Sequence, residues 1–483
     1  MIRFGAVGHV LGQFLTVFSV TMAFPLAYGL WVGDPEWLPV ATGFAAAMAA
    51  GLVLRFASSS SDRALNHREG LLVVVATWCA IGVFGAIPFA VSPYYPTFTD
   101  ALFEAVSGYT ATGSTVLGDI DGLPPGLQFY RCFSHWLGGM GVVLLAVAIL
   151  PLVGHGGMHL YRAEFSGSSS EKLKPRITET AFALWKIYFA LSVAAYLSFR
   201  AVGMDNFDAL CHTFSVIGTG GFSSRTASMA AFNSPAAEYV AVVFMLLGGM
   251  SFVLHYRLWI ERQPGRLFKD VEWRAYLAIV AVATLVISAD LVRAHHYEIE
   301  LGFRSALFQV SAIMTTTGLV TDDYEAWSPL PQLILLVIMF VGGCTGSTSG
   351  GLKVSRFLLL AKVVDREFRR MVEHRGVFAV RLGGVVIPER TIQSLLNLFY
   401  LALFIYFASA LALAALGVDV LTSIAAVAAS MFNIGPGLGE VGPLDNYAGL
   451  PAAAKWVLSL CMIAGRLEYY TVLVILTPAF WRK

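Results

Sequence analysis

Four short stretches of this sequence run from a polar residue to a glycine over the same distance. They read Asp100-Ala-Leu-Phe-Glu-Ala-Val-Ser-Gly-Tyr-Thr-Ala-Thr-Gly113, Asp208-Ala-Leu-Cys-His-Thr-Phe-Ser-Val-Ile-Gly-Thr-Gly-Gly221, Ser305-Ala-Leu-Phe-Gln-Val-Ser-Ala-Ile-Met-Thr-Thr-Thr-Gly318 and Thr422-Ser-Ile-Ala-Ala-Val-Ala-Ala-Ser-Met-Phe-Asn-Ile-Gly435. Each opens on a residue type suited to capping a helix N-terminus, and about ten helical residues follow, roughly 15 Å or half a membrane. The carbonyl end of such a helix carries the negative end of its dipole. Residues just beyond it, once extended, can turn backbone carbonyls toward a shared axis, and glycine permits the dihedrals that this needs. Four such segments around one axis give a ring of oxygens that replaces the hydration shell of a cation. The same elements also suit re-entrant loops at a transporter's substrate site, but the common orientation of the four favours the ring.

A second stretch with chemical potential is Gly342–Gly351, within IMFVGGCTGSTSGGLKVSRF. Glycine, serine and threonine weaken helical order there. Irregular backbone at membrane depth has to be buried in protein or line water, so the stretch is either a pore-facing break or a tightly packed kink. Arg466 lies mid-way along the apolar run 455–477, where a charge normally faces a cavity or a partner. Glu468, two residues on, points elsewhere on a helix and is a poor local partner for it.

The elements that must position these residues are membrane helices. The chain has 483 residues, 57% hydrophobic and 13% charged, against about 25% charged in soluble proteins. Spans are expected at 10–31 and 37–56, then in four helix–loop–helix units at 71–92 and 128–150, 181–202 and 237–258, 274–293 and 331–363, and 392–416 and 455–477. Straight spans are expected apart from the break at 342–351, with Gly138-Gly139 and Gly248-Gly249 as smaller bends. The reading is an all-α polytopic membrane protein with four pseudo-symmetric helix–pore-loop–helix repeats plus an N-terminal helix pair. It divides into an N-terminal hairpin at 1–69 and pore repeats at 70–152, 153–262, 263–380 and 381–483. Loops 55–69, 151–180, 257–274 and 362–391 carry the Lys and Arg, so they and both termini are expected in the cytoplasm. On the opposite side Asp119, Asp121, Asp322, Asp323, Glu325, Glu440 and Asp445 face Arg225 and Arg304, which suggests an acidic vestibule that concentrates cations.

Several motifs add to these. Arg68-Glu-Gly70, Trp136-Leu-Gly-Gly-Met-Gly141, Leu160-Tyr-Arg-Ala-Glu164, Gly342-Gly-Cys-Thr-Gly-Ser347, Asn433-Ile-Gly-Pro-Gly-Leu-Gly439 and Gly465-Arg-Leu-Glu468 are distributed over nearly the whole chain. On them the chain resembles the membrane subunits of bacterial Trk potassium uptake systems, the TrkH/KtrB/HKT superfamily. The resemblance implies K+ as the transported ion, no organic cofactor, a homodimer in the lipid of the bacterial inner membrane, and a cytoplasmic nucleotide-binding TrkA-type regulatory subunit. It places the selectivity filter at Thr110, Ala111, Thr112 and Gly113; Gly218, Thr219, Gly220 and Gly221; Thr315, Thr316, Thr317 and Gly318; and Phe432, Asn433, Ile434 and Gly435, with Gly437 as the competing fourth glycine. Glycine rather than serine at 113 implies potassium over sodium. Gly342, Gly343, Thr345, Gly346, Ser347, Thr348, Gly350 and Gly351 become a gate below the filter, with Arg466 as an electrostatic barrier. A simpler role for Arg466 is neutralisation by buried carbonyls between helices. A sodium-permeable or coupled transporter of the same superfamily is the alternative function.

Other signals carry little. Gly437-x-Gly439-x-x-Gly442 follows no strand, and Gly346-x-x-x-x-Gly351-Leu-Lys353 is a near-miss of a phosphate loop inside a span. His155 and His159 lack a nearby acid for a metal site, His295-His296 reads as a solvated helix end, and the five cysteines are scattered. The basic run Lys362–Arg370 is either membrane anchoring or a docking surface. No catalytic dyad is found within the spans, so an enzyme is not expected, nor a nucleic-acid partner.

Overall fold

A computed structural model describes residues 2–58, 65–141, 177–374 and 376–482. The expected 142–150 part of the first unit, His155, His159 and the Leu160–Glu164 motif lie outside the described residues. The protein is all-α and polytopic. Six helices among the described residues are long and apolar enough to cross a membrane: Phe4–Val32, Leu38–Ala57, His67–Val91, Ala181–Ala201, Val271–Ala294 and Glu389–Ala415. Many of their apolar side chains are exposed, such as Phe24, Leu197, Leu285 and Phe404, as a lipid-facing surface requires.

The first two helices form a hairpin fastened to the next unit at both ends. Arg3 pairs with Glu69 at 2.8 Å, while Asp34 Oδ2 accepts the Gly126 N–H at 2.8 Å. Between these ties Tyr28 stacks on Phe129 and Phe18 packs edge-on against Tyr109.

Four shorter helices follow outer helices of the bundle: Phe98–Tyr109, Asn206–Gly218, Ile299–Met314 and Val420–Met431. These are called the pore helices. Three of the helices begin earlier than the sequence predicts. Thr97, Asp205 and Asp419 are the capping residues, each accepting backbone N–H bonds from the first turn. Asp100 and Asp208 instead sit inside the first turn, where a carboxylate also complements the dipole. The third pore helix starts at Ile299, so Ser305 lies inside it.

The inner helices differ more from expectation. The second is broken between Pro235–Gly248 and Phe252–Trp259, with a 99° bend, and the fourth between Ala452–Arg466 and Tyr470–Leu476, with a 117° bend. The Gly248-Gly249 break is therefore large. The first passes from Pro125–Trp136 into a π-turn at Leu137–Gly141. The third stops at Met339 and resumes at Val354. Glycine makes these breaks possible by close approach. A Cβ on Gly138 or Gly465 would overlap the Tyr109 or Met431 carbonyl at the end of the pore helix of its own unit.

A small hairpin within the expected cytoplasmic loop, Arg381–Leu382 paired with Val385–Val386, was not foreseen. Its signal was the Gly383-Gly384 pair; both glycines have positive φ, 58° and 87°, as a two-residue hairpin turn of this hand requires.

Candidate functional site: an axial ring and the loop beneath it

The segments that follow the four pore helices share one backbone geometry. Two residues before each glycine the chain is left-handed, at Ala111, Thr219, Thr316 and Asn433, with φ between 51° and 56°. The glycines have φ of 91° at Gly113, 89° at Gly221, 70° at Gly318 and 106° at Gly435. The residue between donates its N–H back into the pore helix: Thr112 to Ser107, Gly220 to Ser215, Thr317 to Ala312 and Ile434 to Ala429, at 2.7–3.0 Å. These bonds satisfy carbonyls that a helix end leaves without partners.

The segments close on each other in order. A Cβ built on Gly113 would fall within 3 Å of the Gly220 carbonyl oxygen, on Gly221 of Thr317, on Gly318 of Ile434, and on Gly435 of Thr112. The chain thus makes a closed circuit of four glycines, each set against a carbonyl of the next segment. Gly437 is not part of it; it packs behind, against Ala425, with its carbonyl taken by the Tyr324 hydroxyl at 2.8 Å. Thr110, Thr112, Thr315 and Thr317 pair their hydroxyls within the segment, Thr110 with Thr112 and Thr315 with Thr317, at 2.7 Å each. Asn433 Nδ2 donates to the Thr112 hydroxyl at 2.9 Å.

All four glycines line one cavity of about 90 Å³. Of the seven acids expected to form a vestibule, Asp445 alone lines it, joined by Arg131 and Arg225. Arg225 is itself held by Asp208 at 2.6 Å and by Asp121 at 3.6 Å. Asp121 is thus paired with an arginine, and Arg304 is held by Glu238 at 2.7 Å and Glu300 at 2.9 Å. Glu325 instead binds the Gly439 N–H at 2.5 Å. Burial pushes its carboxyl above the ordinary carboxylate value, the Gly439 N–H opposes this, and Asp323 and Asp445 add to it.

The loop 342–351 lies on the other side of the ring from this cavity. Gly350 N–H donates to the Thr316 hydroxyl at 2.6 Å, and Gly351 N–H to the Phe432 carbonyl at 3.1 Å. The Thr348 hydroxyl reaches the carbonyls of Ile217 and Gly248 at 3.1 and 3.0 Å. Cys344 N–H binds the Gly249 carbonyl, and the Gly346 carbonyl accepts from Phe252 N–H, both at 2.9 Å. Gly342, Gly346 and Gly351 have positive φ. Gly343 carries the carbonyl that receives Val354 N–H at 3.1 Å where the helix resumes. Ser347 bonds the Ser349 hydroxyl at 2.6 Å. Glu272 Oε1 accepts from Thr345 N–H at 2.7 Å and from Ser355 N–H at 3.0 Å, so one carboxylate holds both flanks of the loop.

Arg466 completes the crosspiece. Its guanidinium donates to the Thr348 carbonyl at 3.0 Å and to the carbonyls of Gly138 and Gly139. Its neighbour Glu468 is paired with Arg356 at 2.8 Å. Arg466 is therefore held by carbonyls between helices, as the simpler expectation had it, and those carbonyls belong to the loop and to the break in the first inner helix. The residues that sequence reasoning missed are Glu104, Arg131, Lys455 and Glu272. Their signal was an ionisable side chain inside an apolar helix or at its very start.

Four short helices of 12 to 16 residues ending on a closed ring, set in a bundle of apolar spans, define a multi-pass membrane protein with one polar axis built from a single chain. Transport of a small cation is the chemistry that such an axis serves. The chain belongs to the TrkH family, described as a cation transport protein, whose family model matches residues 39–483. It is 41% identical over 487 residues to the Trk system potassium uptake protein TrkH of Escherichia coli (strain K12), covering 100% of both chains. It is 40% identical over 482 residues to the protein of the same name from Halomonas elongata, covering 98% of each. The crystal structure of the potassium transporter TrkH from Vibrio parahaemolyticus superposes with a TM-score of 0.90 at 38% identity over 100% of both chains.

Proposed function

We propose that this chain takes up potassium across the bacterial inner membrane, with both termini in the cytoplasm. The observation that carries the reading is the closed circuit of Gly113, Gly221, Gly318 and Gly435. The filter comprises Thr110–Gly113, Gly218–Gly221, Thr315–Gly318 and Asn433–Gly435. Its carbonyls replace the water shell of K+, and pore-helix dipoles aimed at the same place add negative potential. K+ is cargo, and no organic cofactor is needed. The chain divides into the hairpin 1–69 and repeats at 70–152, 153–262, 263–380 and 381–483.

The loop 342–351 is the gate, with Arg466 as the barrier group. The hydrogen bonds from Gly350 and Gly351 hold it against the third and fourth filter segments, and Arg466 ties it to the first unit. Removal of those bonds frees the axis. Two copies form a homodimer, and a cytoplasmic nucleotide-binding TrkA-type subunit acts on the gate from the cytoplasmic side. The test is uptake of potassium, rubidium, sodium and lithium by proteoliposomes of the purified chain. Preference for potassium and rubidium is expected; preference for sodium refutes the assignment in favour of a sodium-permeable transporter.

A further inference from the structure

We propose that the buried ion pair Glu104–Arg131 positions the filter by holding the ends of its first and second segments in register. The proposal rests on the filter reading above. Glu104 belongs to the first pore helix and Arg131 to the first inner helix; they are 0% and 1% exposed, and Arg131 Nε donates to Glu104 Oε1 at 2.6 Å. Each partner holds backbone that leaves the ring. Glu104 Oε2 accepts the Val116 N–H at 3.0 Å, and Oε1 accepts the Thr115 hydroxyl at 2.9 Å. Arg131 Nη1 donates to the Ser223 carbonyl at 3.0 Å. Its guanidinium sits 3.6 Å from the centre of the Phe222 ring. Thr115 and Val116 follow Gly113, while Phe222 and Ser223 follow Gly221, so one pair joins two adjacent segments just past their glycines.

The equivalent position, nine residues before the glycine, is used for the same purpose in two other units. His212 Nε2 lies 3.0 Å from the Ser223 hydroxyl, and Gln309 Nε2 donates to the Asp322 carbonyl at 3.3 Å. The fourth unit has Ala426 there, and the Tyr447 hydroxyl binds the Gly435 carbonyl instead, at 2.8 Å. The first unit differs in using charge. Arg131 lines the outer cavity, where a lone cation would oppose an arriving ion; Glu104 cancels it. A buried pair of this kind fixes geometry more than it adds stability, and the loss of one partner leaves an uncompensated charge.

A prop and a neutralised charge differ in what they predict. Proteoliposomes carrying the full chain, either wild type or Glu104→Gln, Arg131→Lys, Arg131→Gln or Thr115→Val, are compared for potassium and sodium uptake. Glu104→Gln and Arg131→Lys are expected to lower the potassium-to-sodium ratio about tenfold, in proportion to ring oxygens that lose register. Total cation uptake should fall in Glu104→Gln and rise in Arg131→Gln, following the sign of the charge left behind. Thr115→Val, which removes one hydroxyl and no charge, should shift the ratio by about threefold with total uptake kept, and serves if the charge variants do not fold. A selective wild type with an unchanged ratio in the folded variants overturns the role of the pair alone. A wild type without potassium preference overturns the filter reading and this proposal with it.

Discussion

Gly113→Ser is the substitution that tests the ring most directly. At Gly113 φ is +91°, and an added Cβ would lie 2.2 Å from the Gly220 carbonyl oxygen. Carbon and oxygen rarely approach closer than about 3.3 Å, so one of the two must move by about 1 Å. Backbone held in such a region by a side-chain-bearing residue costs on the order of 1–3 kcal/mol. The cheapest relief is an outward shift of the Gly220 carbonyl, which takes one oxygen of the ring away from the axis. If the whole of that strain falls on the ion that fits the ring best, ~1.4 kcal/mol per decade gives a loss of about 5- to 140-fold in potassium over sodium. The assay is competitive uptake of rubidium and sodium by proteoliposomes. Gly203→Ser is the control: Gly203 has φ of +95° with nothing within 4 Å of its added Cβ, so it carries backbone strain without touching the ring. A Gly113→Ser protein with the wild-type ratio shows that the ring is not the selective element, whatever happens to its stability.

Arg466→Ala removes the tie between the loop and the first inner helix, and should raise rubidium uptake several-fold; unchanged uptake counts against a barrier role. Lys455 donates to Asp100 at 2.6 Å in a buried pair, so Lys455→Met should cost about 3–5 kcal/mol by stranding the carboxylate, seen as a lowered melting temperature in detergent that Asp100→Asn/Lys455→Met largely restores. Glu325 has a raised carboxyl value, so the folded state binds its proton more readily than the unfolded one and stability falls as pH rises through that value. Glu325→Gln, which keeps an acceptor for the Gly439 N–H, should therefore melt higher than wild type at pH 8 and lose that advantage toward pH 4; a gap independent of pH refutes the assignment.

The spans were legible because apolar runs of this length have one use, and the glycines because their register repeats. The helix starts were misplaced by three residues in three units. Thr97, Asp205 and Asp419 cap the helices, while Asp100 and Asp208, three positions on, resemble caps and act as first-turn acids. The breaks at 249–251 and 467–469 were hidden since their cause is not local. They depend on how closely an inner helix approaches its pore helix, which a glycine allows but does not announce. The pairs Glu104–Arg131 and Lys455–Asp100 span 27 and 355 positions; composition reveals the charges and not their partners.

The ring is closed by four stretches of one polypeptide, and this has a genetic consequence. In an assembly of four identical chains, one altered codon changes every quarter of the opening together. Here it changes a single quarter, so each side can drift under selection on its own. The present sequence already carries the mark of this. The first and third segments carry threonine pairs at 110/112 and 315/317, while 218/220 and 432/434 carry Gly/Gly and Phe/Ile. The four sides thus differ in the residues that support their backbone, and tuning proceeds in steps a fourth as large as a symmetric assembly permits.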